Sequence, residues 1–410
     1  MLNLIKKMKL KRRAIARLAA LHFYGNPSAK LKVVGVTGTN GKTTVATLLY
    51  KVATALGYKA GLIGTVEYIL AGEKRKATHT TPGPIPLNRL LKDMVNKGCE
   101  YVFMEVSSHA MDQKRVAGID FAGGIFTNLT QDHLDYHKSM ENYFLAKKKF
   151  FKTLPARAFA LANIDDAHGA IMLEGIKAKK YFYGFEKACD FKGEIKRLDF
   201  EGQDLEINNF HIKSKLLGKF NSYNFLTVYS VCNLLNFDKN EVKKILLNID
   251  PPKGRFDHFI SSNGIIGVVD FAHSPDSLEK IIFALREVKS TDSRIITIFG
   301  CGGDRDPLKR RIMGKIGVKL SDFAILTSDN PRSEDPEKIL AEMKTDLTMA
   351  DLQKTKTIPD RREAIKKATE IAKSGDIILC AGKGHEKYQE IRGTKYPFND
   401  MEELRKYLTS

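Results

Sequence analysis

The chain has 410 residues, of which 43% are hydrophobic and 28% charged, and its formal net charge is +19. This length and composition exclude a disordered or fibrous chain and allow two or three globular domains. No apolar run approaches the ~20 residues that a spanning helix requires, which excludes an integral membrane protein. The five cysteines are scattered and form no CxxC pair, so we expect a cytoplasmic protein without a disulfide framework or zinc ribbon.

The first 28 residues form a basic N-terminal segment. Residues 1–30 contain no acidic side chain, and their basic residues are Lys6, Lys7, Lys9, Lys11, Arg12, Arg13, Arg17 and Lys30. Such a run is typical of a solvated basic helix. Contact with an acidic ligand or an anionic membrane surface is the alternative, because several leucines and isoleucines in this segment could share one apolar face.

From residue 29 onward, strand-length apolar runs alternate with amphipathic helical segments, which predicts an α/β fold with parallel sheets. The predicted strands are Leu31–Thr37, Tyr101–Val106, Phe121–Phe126, Phe159–Ala162, Ile265–Asp270, Ile295–Phe299, Phe323–Leu326 and Asp376–Cys380. The stretch Cys189–Lys215 predicts antiparallel strands at the edge of the first domain. A Pro-Pro-Lys-Gly sequence at 251–254 predicts a boundary between a central domain, 29–252, and a C-terminal domain, 253–410.

The strongest motif, GVTGTNGKTT, follows the first strand and leads into a helix that begins at Lys42. Backbone N–H groups and the helix N-terminus in such a loop bind a polyphosphate, Lys42 reaches the outer phosphates and Thr43 ligates magnesium. Val36 stands where the general P-loop pattern has glycine. An ordinary glycine turn with a solvated lysine is the alternative. The candidate ATP-binding residues here are Gly38, Thr39, Asn40, Gly41, Lys42, Thr43 and Thr44.

Two further strand ends carry side chains suited to a metal ion. Glu105 ends a strand in MEVSSH, and His133 follows a strand in FTNLTQDHLDYH. A magnesium ion beside the phosphates would suit Thr43, Glu105 and His133, although histidine is an unusual ligand for it. The DHLDYH segment also suggests zinc, but its spacing supplies no complete ligand set.

Three loops at strand ends of the C-terminal domain, FGCGGDRD, SDNPR and AGKGHE, carry glycine and charged residues. Arg305, Arg332 and Glu386 offer two carboxylate clamps and one ammonium acceptor, which fits a zwitterionic amino acid. Each arginine taken alone could form an ordinary surface salt bridge. Three such loops at the strand ends of one sheet favour a substrate site.

In this order the motifs resemble the Mur ligases of peptidoglycan assembly, from about Leu21 to the C-terminus; GKFNSYN and VVDFAHSPDSLE extend the match. The resemblance implies a P-loop domain followed by a Rossmann-like domain, with ATP-driven amide formation through an acyl phosphate. It implies a UDP-muramoyl-dipeptide, activated at its D-Glu carboxylate, as acceptor. SDNPR resembles the form that adds meso-diaminopimelate, because Arg332 can pair with a distal carboxylate that lysine lacks. L-Lysine and a non-UDP acceptor are the alternatives.

The resemblance also implies roles for individual residues. Lys147 matches a carbamylated lysine that would hold Mg²⁺ with Thr43, Glu105 and His133; its neighbours Lys148 and Lys149 otherwise predict a helix-surface lysine. Catalysis would fall to Lys42, Lys147 and His133. The implied acceptor contacts are Thr80, Thr81, Ser107, Gln113 and Arg115. Those of the nucleotide are Asn221, Arg255 and Asp270. Those of the amino acid are Arg305, Asp329, Asn330, Arg332, Gly382 and Glu386.

Family members carry an N-terminal domain for the uridine nucleotide before the segment LHFYGNPS, whereas about twenty residues precede it here. We therefore expect a partner chain or the basic segment to supply that function, or the function to be dispensed with. A folate ligase is a same-fold alternative, against which the SDNPR and GCGGDRD loops argue. The charge of +19 suggests a nucleic-acid-binding protein, but the chain lacks Trp and no aromatic residues alternate with basic ones. We expect no nucleic-acid partner.

Overall fold

The computed structural model describes residues 23–208, 210–250, 254 and 256–408. Most of the basic N-terminal segment and the proline pair at 251–252 therefore lie outside the described residues. The chain divides into two compact units. The first comprises the chain up to Lys196 with Asp204–Lys215 and Asn221–Ile249, and the second comprises Arg197–Gln203, Leu216–Phe220 and the chain from Asp250. No described helix has both the length and the apolar character needed to cross a membrane.

An eleven-stranded sheet lies in the first part of the chain. Its strands are β1 (Lys32–Thr37), β2 (Ala60–Ile63), β3 (Glu67–Leu70), β4 (Glu73–Lys76), β5 (Tyr101–Glu105), β6 (Phe121–Phe126), β7 (Phe159–Asn163), β8 (Lys179–Gly184), β9 (Phe191–Asp199), β10 (Gly202–Ile207) and β11 (Phe210–Ser214). The order across the sheet is β11-β10-β9-β8-β7-β6-β1-β5-β2-β3-β4. The strands from β8 to β2 in this order are parallel. At the edge of the sheet that begins with β11, the strands β9, β10 and β11 are joined by connections of two residues. Only antiparallel neighbours permit connections this short.

The helices along this part of the chain cover the sheet, so its central strands are buried on both faces. They are α1 (Lys42–Ala55), α2 (Pro84–Asn96), α3 (Ser108–Asp112), α4 (Leu134–His137), α5 (Met140–Lys152), α6 (Gly169–Met172), α7 (Lys219–Leu234) and α8 (Lys239–Asn248), preceded by the 3₁₀ turn Pro27–Lys30. The core cluster of this unit joins β1, β5 and β6 to α2 and α5.

The register of the central strands determines where the functional loops lie. Val36 of β1 pairs with Glu105 of β5, and Thr37 pairs with Phe126 of β6. The carboxyl ends of these three adjacent parallel strands therefore meet at one edge of the sheet. The glycine-rich loop, Glu105 and the segment after Phe126 all start from that edge.

The second unit has a six-stranded sheet and a separate hairpin. Their strands are β12 (Asp257–Ile260), β13 (Ile266–Asp270), β14 (Ile295–Phe299), β15 (Phe323–Leu326), β16 (Thr355–Thr357), β17 (Ile377–Ala381), β18 (Tyr388–Ile391) and β19 (Thr394–Pro397). The sheet order is β12-β13-β17-β14-β15-β16, and β13 to β16 are parallel. The hairpin consists of β18 and β19.

Six helices accompany this second sheet: α9 (Pro275–Val288), α10 (Leu308–Leu320), α11 (Pro336–Lys344), α12 (Met349–Gln353), α13 (Arg361–Ile371) and α14 (Asp400–Leu408). Two hydrophobic clusters fill the unit, one with α9, α10 and α11 and the other with α13 and α14. The predicted α/β class is confirmed. Each predicted strand is present, with its ends displaced by one residue at most.

Candidate functional site

The glycine-rich loop after β1 has a tight backbone, and the Lys42 side chain folds back onto it. Gly38 and Gly41 have φ angles of 148° and 86°, which side chains rarely adopt. A Cβ on Gly38 would collide with Thr127 Oγ1, and a Cβ on Gly41 would collide with Asn224 Oδ1. Lys42 Nζ donates to the carbonyl oxygens of Gly38 at 3.0 Å and Thr39 at 2.8 Å. The amide nitrogens at the start of α1 thus lie in a loop with the geometry of an anion-binding site.

Side chains after β6 hold this loop in place. Thr127 Oγ1 donates to Asn40 O at 2.6 Å, and Asn40 N donates to Asn128 Oδ1 at 2.9 Å. Thr39 Oγ1 contacts Tyr143 Oη at 3.2 Å and accepts from Thr130 N at 3.0 Å. The sequence did not single out these supporting residues. For Thr127, Asn128 and Thr130 the only signal is their place directly after β6, a strand adjacent to β1; Tyr143 comes from α5.

Glu105 is a buried carboxylate at the end of β5, and it is 1% exposed. Its Oε1 accepts from Thr43 Oγ1 at 3.0 Å and from Thr65 N at 2.8 Å, while Oε2 accepts from Thr65 Oγ1 at 3.1 Å. Thr44 is also buried at the start of α1. A hydroxyl and a carboxylate are hard oxygen donors, so Thr43 and Glu105 suit Mg²⁺. The described residues contain no group of three His, Cys, Asp or Glu side chains that could hold a metal.

Lys147 lies on the buried face of α5 and is 1% exposed, so its interpretation as a helix-surface lysine was wrong. Its Nζ donates to Gly38 O at 2.7 Å and lies 4.4 Å from the centre of the Tyr143 ring. Burial and the positive charge of Lys42 hold the pKa of Lys147 well below its usual value. The helix α5 thus places beside the loop a lysine whose surroundings favour its neutral amine.

His133 also lies near Tyr143, and the centres of the two rings are 6.1 Å apart. Partial burial of the ring, and to a smaller extent the positive charges of His109 and Lys42, lower the pKa of His133 to about 4. His133 is therefore neutral at pH 7, and its Nε2 lies 3.5 Å from Asp132 Oδ2. The structure brings Thr43 and Glu105 together, whereas His133 and Lys147 meet at Tyr143.

The five residues implied for the acceptor form a network that starts at Glu105. Thr80 Oγ1 is 3.1 Å from Thr65 Oγ1, which itself donates to Glu105. Thr81 Oγ1 donates to Glu105 O at 2.8 Å and accepts from Ser107 N at 3.1 Å. 

Arg115 completes this network. Its Nη1 donates to Thr81 O at 2.8 Å and its Nη2 donates to Gln113 Oε1 at 2.8 Å. The structure thus connects all five residues to the candidate metal ligand Glu105, within the first unit.

The nucleotide residues lie in different parts of the chain. Asn221 is buried in α7, and its Oδ1 accepts from Asn224 Nδ2 at 3.0 Å; Asn224 adjoins Gly41. Asp270 ends β13 in the second unit, where its carboxylate accepts from Phe256 N at 2.7 Å. Arg255 lies outside the described residues.

In the second unit, the loops after β14 and β15 are joined to each other. Gly303 N donates to Asn330 O at 2.9 Å, and Arg332 Nη1 donates to Gly303 O at 2.6 Å. A Cβ on Gly302 would lie 2.9 Å from Arg332 Nη1 and 3.6 Å from Arg305 Cγ. The structure therefore brings both predicted arginines close to one glycine, Gly302.

A lysine that the sequence did not single out organises the acidic residues of this unit. Lys383 is fully buried, and its Nζ lies 3.0 Å from Glu386 Oε2, 3.0 Å from Asn330 Oδ1 and 3.7 Å from Asp329 Oδ1. Asn330 Nδ2 also donates to Glu386 Oε2 at 2.8 Å. The predicted ammonium acceptor Glu386 thus already has a cation beside one oxygen. Gly382 has a φ of 115°, and a Cβ there would lie 3.1 Å from Asp329 Oδ2.

Comparisons with known proteins match both parts of the chain to one family. Residues 36–232 match the family model of the Mur ligase middle domain, and residues 254–384 match that of the Mur ligase glutamate ligase domain. The UDP-N-acetylmuramoyl-L-alanyl-D-glutamate–2,6-diaminopimelate ligase of Parabacteroides distasonis is 51% identical over 96% of this chain and 81% of its own length.

Solved structures show the same fold. A structure of a UDP-N-acetylmuramoyl-L-alanyl-D-glutamate–2,6-diaminopimelate ligase is 33% identical, with a TM-score of 0.65 over 92% of this chain and 78% of its own. A folylpolyglutamate synthase from Mycobacterium tuberculosis, complexed with ADP and AMPPCP, has a TM-score of 0.72 over 89% of this chain and 91% of its own; at 16% identity it shows the fold alone. The matched domains and the first of these relatives show that the chain belongs to the Mur ligase family.

Proposed function

We propose that this protein is an ATP-dependent ligase that joins meso-diaminopimelate to the D-Glu side-chain carboxylate of UDP-N-acetylmuramoyl-L-Ala-D-Glu. The observation that carries the proposal is the 51% identity, over 81% of its length, to a relative named for this reaction. The glycine-rich loop, with Lys42 folded against it, supports the use of ATP. The arginine-bearing SDNPR loop supports a substrate with a distal carboxylate.

The D-Glu carboxylate is a poor acyl donor, so the reaction must first activate it. ATP transfers its γ-phosphoryl group to the D-Glu carboxylate and leaves as ADP, which gives an acyl phosphate. The neutral amine of the amino acid then attacks the acyl carbon, phosphate leaves and the amine loses a proton. Lys42 and the amide nitrogens of the loop would neutralise the developing charge on the phosphoryl oxygens.

Thr43, Glu105, His133 and a carbamylated Lys147 would hold Mg²⁺, which supplies further charge neutralisation at the phosphates. A carbamate forms when a neutral lysine nitrogen bonds to the carbon of CO₂ and releases a proton. The buried, cation-flanked Lys147 fits this step, because burial and the charge of Lys42 lower its pKa and so favour the neutral amine. The carbamate is an anion beside the positive charge of Lys42. A protonated Lys147 would instead place a second positive charge there.

The network from Thr80 to Arg115 would bind the acceptor, because it shares Glu105 with the metal ligands and presents donors to an anionic dipeptide. In the second unit, Arg332 and Arg305 would bind the distal carboxylate of the amino acid. Asp329 supports the same site. Its Oδ1 is buried 3.7 Å from Lys383 Nζ and has no hydrogen-bond partner among the described residues. Asn221, Arg255 and Asp270 would contact the nucleotide.

The test is a phosphate-release assay with ATP, Mg²⁺ and the muramoyl dipeptide, with and without its UDP group, and with either meso-diaminopimelate or L-lysine. We expect release that depends on the acceptor and on meso-diaminopimelate. Release with lysine alone would overturn the proposed amino acid. Equal rates with both acceptors would show that the UDP group is not required.

A further inference from the structure

Two adjacent aspartates, Asp165 and Asp166, lie in the turn after β7. This strand runs parallel to β6 and β1, so the turn starts from the same edge of the sheet as the glycine-rich loop. The turn is tight, because a Cβ on Gly169 would lie 1.7 Å from Asn163 O. Asn163 Oδ1 also accepts from Asp165 N at 3.0 Å. Asp166 Oδ1 accepts from His168 N at 2.8 Å. These contacts fix the direction of both carboxylates.

Asp166 holds the segment that follows β6. Its Oδ2 accepts from Leu129 N at 2.9 Å, and its side chain is 11% exposed. The residues on either side of Leu129 contact the glycine-rich loop. Thr39 N donates to Asn128 O at 2.8 Å, and Thr130 N donates to Thr39 Oγ1 at 3.0 Å. A hydrogen bond to a carboxylate is stronger than one between neutral groups, so Asp166 anchors this segment at its middle.

Asp165 holds the helix on the other side of the loop. Its carboxylate accepts from the backbone N–H groups of residues 185–187 at 2.6–3.0 Å and from Tyr223 Oη in α7 at 2.9 Å. Partial burial alone would raise the pKa of Asp165, but these contacts outweigh it and lower that pKa. The next residue of α7, Asn224, lies so close to Gly41 that a Cβ on the glycine would be 2.4 Å from its Oδ1.

We propose that Asp165 and Asp166 are positioning residues for ATP, which act by fixing the two segments that flank the glycine-rich loop. This proposal rests on the proposed function. A carboxylate that touched the phosphates directly would repel them, whereas these two are occupied by backbone N–H groups and a tyrosine hydroxyl. They keep the amide nitrogens of the loop directed at the phosphates and leave the amino-acid residues of the second unit unaffected.

The test is a direct titration of the protein with ATP and Mg²⁺, together with the KM for meso-diaminopimelate. Asp166→Asn keeps the shape of the side chain, but its amide has one acceptor oxygen and can keep only one of two N–H contacts. We expect its Kd for ATP to rise about tenfold and its KM for meso-diaminopimelate to stay within about twofold. Hydrogen exchange at the Leu129 amide should become faster. Tyr223→Phe removes only one hydroxyl and should raise the Kd for ATP about threefold.

Asp190→Asn is the matched control. Asp190 is an exposed aspartate of the same unit, and its Oδ2 accepts from Phe182 N at 2.8 Å, so its loss removes the same kind of contact away from the loop. It should leave both constants unchanged. An unchanged Kd for ATP in Asp166→Asn or in Tyr223→Phe would overturn the role of the aspartate concerned. An equal rise of the Kd for ATP and the KM for meso-diaminopimelate would overturn the proposal as well, because the fold as a whole would then be affected. A wild-type protein that binds no ATP would instead contradict the proposed function.

Discussion

The buried ion pair between Arg361 and Asp400 should be essential for the stability of the second unit. Both side chains are fully buried; Arg361 Nε lies 2.7 Å from Asp400 Oδ1, and Nη2 lies 2.8 Å from Oδ2. Burial works against the charge of the guanidinium, but the Asp400 carboxylate outweighs it and raises the pKa of Arg361. Asp400→Asn therefore leaves a charge that can neither be neutralised nor reach water.

Removing one partner of such a pair costs about 3–5 kcal/mol, a large part of the ~5–15 kcal/mol that stabilises an ordinary domain. Arg361 Nη2 also donates to Ala381 O at 3.0 Å, next to Gly382, so the loss should spread to the end of β17. The chain contains no tryptophan. Unfolding in urea therefore cannot be monitored by tryptophan fluorescence. The assay instead monitors it by hydrogen exchange of the Ile377–Ala381 strand.

The same two helices provide a matched control. Arg362, which is 46% exposed, pairs with Glu403, which is 14% exposed, at 2.9 Å; a pair whose cation reaches water contributes about 0–1 kcal/mol. Glu403→Gln should accordingly change the free energy of unfolding by less than about 1 kcal/mol. If Asp400→Asn had an effect as small as Glu403→Gln, the argument from the buried charge would be refuted.

Three further predictions concern the site and its surroundings. Lys147→Ala should abolish phosphate release, and added formate, but not methylammonium, should restore part of it; full activity without any additive would remove the carbamate role. Gly38→Ala should weaken ATP binding in a direct binding titration, because its Cβ collides with Thr127, whereas unchanged affinity would count against the proposed loop geometry. The third concerns Glu334. A hydrogen bond from Arg310 lowers the pKa of Glu334 to about 2, from an ordinary value of 4.5. Its contribution to stability should be complete above pH 4.5 and lost as pH falls through 2, so Glu334→Gln should flatten the acid side of the stability profile measured by urea unfolding.

The sequence predicts best those features that depend on neighbouring residues. The parallel strands that the sequence predicted are apolar runs, because helices bury both faces of the sheet, and so their ends could be predicted to within one residue. The parallel strands β2, β8 and β16 were not predicted; β8 and β16 are rich in lysine, threonine or tyrosine. The helix at Lys42 begins where predicted, since the glycine before it supplies the left-handed turn. Glu105 could be placed at a strand end for the same local reason.

Features that depend on distant contacts were not predicted from the residues themselves. Asn128 and Asn224 support the glycine-rich loop from positions far along the chain, and neither side chain differs in kind from a surface asparagine. The register of β1 with β6 brings the first of them to Gly38–Lys42. That register follows from the packing of the whole sheet, which no local pattern encodes.

The two buried lysines show how location changes the chemistry of one residue type. Lys147 lies against a backbone carbonyl, the Tyr143 ring and the positive charge of Lys42, so the environment favours its neutral amine. Lys383 is equally buried but lies beside the carboxylates of Glu386 and Asp329. These opposite charges hold Lys383 in place and make it a fixed support for the SDNPR loop. Replacing Lys383 by methionine should therefore disturb that loop and weaken amino-acid binding in a way that no small carboxylate repairs, in contrast to Lys147. A formate-rescued Lys383→Met enzyme would show that the two lysines are not distinguished by the charges around them.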